Sequence, residues 1–267
     1  MTSPMFSIVI PAYNRADGRL QRALDSVLTQ TWRDLECIVV DDGSTDETRH
    51  IVSEYWVGRL DCLRYIRHDE RQGRVSARNA GMAAAQGEWI CWLDSDDAWD
   101  QEYLRTFAYR IEEEPEARLW VCGAIVHGVD GPVNARTVPK WTKIRKAWMP
   151  PVDSNGVHEF FDSGRVGTGM FVFHRKCYEA VGPLPEDWKH PDHVADGLED
   201  WLGIPFGTLG YGSGKRAREV EAPPLLRKRG QGHIGNPWGD DHAFFLALAL
   251  KYRVHLIQAA LYVHYVR

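Results

Sequence analysis

Three carboxylates, Asp94, Asp96 and Asp97, stand directly after an apolar run at 88–93. The run is short and rich in aromatic and branched side chains, which favours a strand buried on both faces. Open α/β sheets bind ligands at the carboxyl ends of their strands, and an Asp-X-Asp pair supplies the hard oxygen ligands that Mg²⁺ and Mn²⁺ prefer. The acids therefore indicate a divalent cation shared with a diphosphate. The alternative is a solvated loop in which an aspartate caps the next helix, and for Asp97 we favour the cap.

The residues before the acids repeat a strand-then-helix pattern three times, which is typical of a parallel, doubly wound α/β sheet. Asp41 and Asp42 also stand at the carboxyl end of a predicted strand. After residue 127 the regular alternation fails, and 128–166 reads as a long functional loop. We predict strands at 6–10, 35–40, 62–66, 88–93, 118–126, 168–173 and 254–266, and helices at 20–28, from 45, at 75–85, 101–113, 176–181 and 241–252.

Composition predicts one compact α/β domain with an elaborated second half, because 267 residues with 44% hydrophobic content can bury one large core. We divide it at residue 127, where the regular alternation fails, into residues 1–127 and residues 128–267. The five cysteines have no metal-ligand spacing, so reduced thiols and a cytoplasmic location are expected. No run approaches a signal peptide or a membrane span. The formal charge of −5 hides a basic segment at 131–152 that has no acid.

Five motifs occur in order over residues 6–97: FSIVIPAYNR at 6–15, SVLTQT at 26–31, VVDDGSTD at 39–46, ARNAG at 77–81 and LDSDD at 93–97. Together they resemble family 2 glycosyltransferases, the inverting, metal-dependent enzymes of the GT-A fold. The resemblance continues more loosely through GTGMF at 167–171, VG at 181–182 and LEDW at 198–201. It implies a nucleotide-sugar donor, with a UDP-sugar favoured, and Mn²⁺ or Mg²⁺ as cofactor. It also implies that residues 1–127 form the nucleotide-sugar-binding half and residues 128–267 the acceptor-binding and catalytic-base half.

The predicted donor site combines this resemblance with the chemistry of the side chains. Tyr13 offers a flat face for a pyrimidine, although it could instead pack over the sheet edge, and Asp42 can accept a hydrogen bond from a uracil ring N–H. The resemblance implies that Arg78 lies near the diphosphate, that Asp94 faces the ribose and that Asp96 faces the metal. The predicted donor-binding residues are Pro11, Tyr13, Asn14, Arg15, Asp42, Arg78, Asp94 and Ser95.

A general base is needed because inversion requires in-line attack by an acceptor hydroxyl. Asp200, in the acidic motif that the resemblance covers, is the favoured candidate, and Asp241 is its rival. Either carboxylate could instead cap the helix predicted after it. His233 lies where some relatives place a histidine that completes the metal shell or touches phosphate; the alternative is an exposed loop histidine.

The basic segment predicts the acceptor, because interleaved cations and aromatic rings suit a polyanion such as modified nucleic acid or a phosphate-containing polymer. A neutral or lipid-linked glycan is the alternative. A function of another class, nucleic-acid binding or non-catalytic carbohydrate binding on the same fold, also stays open, whereas the glycine-rich basic loop of a nucleotidyltransferase is missing after the first strand. The predicted acceptor residues are Lys140, Trp141, Lys143, Arg145, Lys146, Trp148, Glu199 and Trp201.

Overall fold

Nine strands of the described residues form one sheet that helices cover on both faces. The computed structural model describes residues 3–56, 61–128, 131–132, 168–185 and 240–265. The strands are β1 (Phe6–Ala12), β2 (Leu35–Asp41), β3 (Leu63–Arg67), β4 (Trp89–Trp92), β5 (Ala98–Trp99), β6 (Leu119–Gly128), β7 (Gly131–Pro132), β8 (Phe171–His174) and β9 (Val254–Tyr265). The helices are α1 (Arg19–Leu28), α2 (Thr48–His50), α3 (Arg74–Ala84), α4 (Tyr103–Glu113), α5 (Arg175–Val181) and α6 (Asp240–Lys251). A π-helical segment, Ile51–Trp56, extends α2.

The strand order is β3-β2-β1-β4-β8-β6-β9-β5, with β7 paired to β6. β1 lies between β2 and β4 and pairs in parallel with both, while β2 pairs in parallel with β3. β8 enters antiparallel between β4 and β6, and β5 lies antiparallel to β9. The predicted doubly wound, mostly parallel α/β sheet is confirmed. Strands from both sides of residue 127 share this sheet, and that residue lies inside β6, so the division of the chain at this point stays a prediction.

Alternate residues of the central strands supply two cores. Ile8 and Ile10 pack with α1, α4 and β9 on one face, and Val9 packs with α3, α5 and α6 on the other. Every residue of β1, β2 and β4 is buried, as expected for strands that are covered on both sides. Within the described ranges, no helix combines the length and apolar character needed to cross a membrane.

The strand boundaries differ from the sequence prediction by one to three residues, and two of these differences have a clear physical reason. β1 continues through Pro11 to Ala12, because the extended φ of proline is compatible with the end of a strand. Residues 168–170 form a 3₁₀ turn, so β8 begins at Phe171. In that turn the carbonyl of Gly169 accepts hydrogen bonds from the side chains of Trp99, at 3.1 Å, and Tyr103, at 2.9 Å. These side chains take the place of a neighbouring strand as its partners.

Glu36 ties three elements together at the edge of the sheet opposite the acids. Its buried carboxylate accepts hydrogen bonds from the Ser7 hydroxyl at 2.6 Å, the Gln86 backbone N–H at 2.6 Å and the Arg64 guanidinium at 2.7 Å. Burial alone would raise the pKa of Glu36, but these hydrogen bonds outweigh burial and lower the pKa below its usual value of 4.5.

Replacing Glu36 with glutamine should therefore lower the unfolding free energy at pH 7 by about 1.5–3 kcal/mol, the usual contribution of a hydrogen bond to a charged group. The folded-state pKa lies below the unfolded one, so this stabilisation is complete above about pH 4.5 and is lost as the pH falls through the folded value. Urea unfolding at pH 7 and pH 3 measures the difference in unfolding free energy between Glu36→Gln and the parent. Glu112→Gln, at an exposed position, is the control. Equal unfolding free energies for Glu36→Gln and the parent at pH 7 would contradict the expectation.

Candidate functional site

Three loops meet where the parallel strands β1, β2 and β4 end. The Asp42 N–H donates to the carbonyl of Ala12 at 2.8 Å, and the Leu93 N–H donates to the carbonyl of Val9 at 3.0 Å. These bonds extend the parallel pairing one residue beyond β2 and β4, into the loops that hold the predicted site residues. The aspartates after β2 and β4 therefore lie on either side of the loop that begins after β1, at the sheet edge where α/β proteins bind ligands.

Helix α3 brings Arg78 to this edge because Gly81 lets the helix pack closely on β1. A Cβ on Gly81 would lie 2.2 Å from Cγ1 of Val9, a distance that no side chain tolerates. Arg78 is only 1% exposed. The small residue at 81 therefore positions the arginine at 78, one turn earlier on the same helix.

Arg78 connects the acids to the segment that precedes β8. Its Nη2 donates to Oδ1 of Asp94 at 2.9 Å and to Oγ1 of Thr168 at 3.0 Å. Its guanidinium also lies 4.9 Å from the ring centroid of Trp92, a cation–π contact. Arg78 is therefore a buried residue and not a solvated charge on the helix surface. Its predicted contact with the diphosphate stays a prediction. As observed, Arg78 orients the Asp94 carboxylate, which remains 26% exposed.

Three arginines from the loop after β1 and from α1 surround Asp96, whose side chain is 31% exposed. Its carboxylate lies 3.6 Å from Nη2 of Arg15 and 3.8 Å from Nη1 of Arg19, and its carbonyl accepts from Arg22 at 2.6 Å. The Ser95 hydroxyl accepts from Nε of Arg15 at 3.0 Å. Arg19 and Arg22 were not among the predicted site residues. Their i, i+3 spacing in the first turn of α1 places both on one helix face and was the available signal.

Asp97 is not a helix cap, contrary to the sequence interpretation. It is 1% exposed and is followed by the short strand β5, and its carboxylate accepts a hydrogen bond from the hydroxyl of Tyr262 in β9. The carboxylate beside α4 belongs to Asp100, whose Oδ1 accepts from the N–H of Glu102 at 2.9 Å. Tyr262 therefore ties the acidic loop to a strand far away in the chain.

The Asp42 carboxylate organises the loop at 68–73. It accepts hydrogen bonds from the backbone N–H groups of Gln72 and Gly73, both at 2.8 Å, and it lies 2.9 Å from Nδ1 of His68. It is 3% exposed. A carboxylate offers about four lone-pair sites, so one site remains for the predicted uracil N–H, and that contact stays a prediction.

Tyr13 is half-buried and stacks with Arg71, which was not among the predicted site residues. The guanidinium carbon of Arg71 lies 4.3 Å from its ring centroid. The neighbouring Asn14 adopts a left-handed φ of 50° and accepts from the Thr45 N–H at 2.9 Å, which joins the loops after β1 and β2. No sequence pattern indicated Arg71, because its position depends on the path of the loop at 68–73.

Most of the predicted catalytic and acceptor residues lie outside the described residues. The exception is Asp241, whose backbone is part of α6. The roles assigned to the following residues stay predictions: Lys140, Trp141, Lys143, Arg145, Lys146, Trp148, Glu199, Asp200, Trp201 and His233.

Asp94 and Asp96 have the chemistry and the exposure of protein ligands to Mg²⁺ or Mn²⁺. Such ions are commonly bound by one or two carboxylates together with water and substrate phosphates, and both side chains are partly exposed at the ligand-binding edge. Within the described residues, no group of three or more histidine, cysteine, aspartate or glutamate side chains forms a metal site. The carboxylates of Asp94 and Asp96 are therefore suited to a metal ion that binds together with a diphosphate.

The family model for glycosyl transferase family 2 matches residues 7–182, which is about two thirds of the chain. The chain belongs to this family. The match includes the strand ends and all the predicted donor-binding residues. It stops before Asp200, His233 and Asp241.

Relatives and solved structures support the family assignment and the fold. A glucosyltransferase of Escherichia coli, UDP-Glc:alpha-D-GlcNAc-diphosphoundecaprenol beta-1,3-glucosyltransferase WfaP, is 38% identical over 110 residues, which cover 41% of this chain and 42% of that protein. S. aureus TarS 1-349 in complex with UDP superposes with a TM-score of 0.63 at 20% identity, covering 98% of this chain and 60% of that one. The mannosyltransferase PcManGT from Pyrobaculum calidifontis, in complex with GDP-Man and Mn²⁺, superposes with a TM-score of 0.53 at 21% identity, covering 70% and 49%. The fold is therefore the GT-A fold of these glycosyltransferase neighbours. The chain spans less than half the length of the curated relatives that it matches, from 15 to 42%.

Proposed function

We propose that this family 2 chain is an inverting glycosyltransferase that transfers a sugar from a UDP-sugar to an acceptor hydroxyl. The observation that carries the proposal is the pair of partly exposed carboxylates, Asp94 and Asp96, at the end of β4, with arginines beside both. A diphosphate leaving group gains negative charge as the bond to the sugar breaks. Cationic side chains at this edge stabilise that charge, and the two carboxylates give a divalent cation its protein ligands.

The proposed reaction is a single displacement at the anomeric carbon of the donor sugar. The acceptor oxygen forms the new glycosidic bond, the bond to the diphosphate breaks on the opposite side, and the acceptor proton goes to an aspartate base. Asp94 and Asp96 would hold Mg²⁺ or Mn²⁺, and the bound ion would neutralise charge on the departing diphosphate. Arg78 fixes the orientation of Asp94, and Arg15 and Arg19 add positive charge beside Asp96.

The proposal of a UDP-sugar rests on Tyr13 and Asp42 and on the neighbour that carries UDP. The acceptor has two candidate classes. The named acceptor of WfaP, a sugar on diphosphoundecaprenol, supports a lipid-linked glycan. The basic segment supports a polyanion by composition alone and lies outside the described residues, so that class rests on the sequence. A binding protein without catalysis would bind UDP and release no sugar.

Calorimetric titration of UDP tests the donor site. We expect Mn²⁺ to tighten UDP binding at least tenfold, and EDTA and Asp96→Asn to remove that gain, because each withdraws metal from the diphosphate. Asp100→Asn, on the other side of β5, is the control, since asparagine can also accept the hydrogen bond beside a helix start. UDP affinity that neither EDTA nor Asp96→Asn changes would exclude the proposed metal site, and sugar release from one UDP-sugar in a donor screen would identify the co-substrate.

A further inference from the structure

We propose that Arg71 binds the donor by stacking its guanidinium on the nucleotide base, an inference that rests on the proposed function of this site. The guanidinium carbon lies 4.3 Å from the ring centroid of Tyr13. Arg71 is exposed, and within the described residues no carboxylate forms an ion pair with it. An arginine that has an aromatic ring as its neighbour in place of an acid keeps its planar face and its charge available for a ligand.

The loop at 68–73 holds Arg71 beside Tyr13. Asp42 accepts hydrogen bonds from the backbone of Gln72 and Gly73, and the N–H of His68 donates to the carbonyl of Asp41 at 2.9 Å. These bonds fix the loop on both sides of Arg71. The position of the arginine is therefore a property of the loop backbone and does not depend on its own side-chain contacts.

Gly43 shows how closely this loop covers the end of β2. It has a φ of 70°, and a Cβ there would lie 2.5 Å from the carbonyl carbon of Glu70 and 2.7 Å from the backbone nitrogen of Arg71. The loop can take this path only over a glycine. An alanine at 43 would push residues 70 and 71 away from β2, and it offers a way to displace the arginine without changing it.

A base that stacks on Tyr13 fits beneath the guanidinium after a small side-chain movement. Stacked rings need a separation of about 3.5 Å, the contact distance between carbon atoms, so the guanidinium must move out by that amount. An exposed arginine side chain can do this by changing rotamers while the loop stays in place. The base then lies between a tyrosine ring and a guanidinium plane, a stack that favours a flat heterocycle and does not require a phosphate.

The test compares uridine, UMP and UDP in calorimetric titrations of the metal-loaded protein. Arg71→Ala should weaken all three ligands by the same factor, about tenfold, because stacking on one base contributes at this scale. Arg71→Lys should lose most of that factor, since lysine keeps the charge but not the planar face. Arg105→Ala, which removes an exposed arginine from α4, should bind like the parent.

Each other result overturns the stacking role. A loss for UDP that is absent for uridine and shrinks with added salt would assign Arg71 to the phosphates. Tighter binding by Arg71→Ala would make the arginine a competitor of the base. Unchanged binding of all three ligands would leave it no role. If the parent protein binds no UDP, with or without metal, the proposed function itself fails, and this outcome is distinct from a failure of Arg71 alone. Gly43→Ala should reproduce the loss of Arg71→Ala, and the double variant should show no additional loss.

Discussion

Replacing Asp241 with asparagine should lower kcat about a thousandfold and leave UDP affinity within a factor of two, because a general base contributes about 10²–10⁴ to the rate and little to donor binding. The sequence favours Asp200 for this role. The described structure favours Asp241, because Phe244 in the same helix, α6, packs against β4. The ring of Phe244 lies 4.8 Å from that of Trp92, the last residue of β4.

The N-terminal part of helix α6 therefore packs against the last residue of β4. Asp241 lies three residues before Phe244, about 5 Å along the helix at 1.5 Å per residue. Trp92 stands two residues before Asp94. Asp241 and Asp94 are thus each only a few residues from the contact between Phe244 and Trp92. For this reason we expect the larger effect at Asp241.

Steady-state kinetics with the donor identified by screening would measure kcat, and calorimetry would measure UDP affinity for the same preparations. Asp200→Asn is the matched variant and should retain kcat within about fivefold, since it changes one carboxylate in the same way without removing a base. The reverse pattern, with Asp200→Asn inactive and Asp241→Asn active, would restore the assignment from the sequence. Full activity of both variants would exclude both aspartates.

Replacing Arg78 with methionine should lower the kcat/KM for the donor about a hundredfold and the unfolding free energy by about 2–3 kcal/mol, the range expected when a buried, charged hydrogen-bond donor is removed. Arg78 is buried, but its partner Asp94 is 26% exposed, and water around that carboxylate reduces the cost. Methionine keeps much of the packing on Trp92 while it removes the hydrogen bonds. The activity should fall because Asp94 loses the group that orients it.

Two further variants separate orientation from charge. Thr168→Val removes one hydrogen-bond partner of Arg78 and should cost about 1 kcal/mol in unfolding free energy. Arg78→Lys retains the charge without the planar fork, so its kcat/KM should lie between those of the parent and Arg78→Met. Chemical denaturation and donor kinetics would measure both quantities. Parent-like stability and kcat/KM for Arg78→Met would contradict the role of this residue in both fold and site.

The sequence predicts the first half of the fold well because its signals are local. Apolar strands and helical spacing mark the first βα units, and the carboxyl ends of parallel strands place Tyr13, Asp42 and Asp94 at one sheet edge. The antiparallel entry of β8 between β4 and β6 was not predictable, since strand order depends on pairing between distant segments. For the same reason the sequence indicated a cap at Asp97 where the structure has a tyrosine from β9.

Side-chain partners within the site were the hardest to predict. The sequence identified Asp96 but not Arg19 beside it, and it identified Tyr13 but not Arg71. Both arginines reach their partners through the direction of a loop or of a first helical turn. A residue motif records which groups are present, whereas these contacts depend on backbone paths that the motif does not specify.

The hydrogen bond between Tyr262 and Asp97 has a consequence for synthesis of the chain. The two residues are separated by 165 positions. At a synthesis rate of about 5–20 residues per second, roughly 10–30 s pass after Asp97 is made before Tyr262 exists. The early βα units can pair during that time, but the acidic loop cannot acquire this contact. On the ribosome, the early βα units therefore assemble first and the acidic loop is completed last.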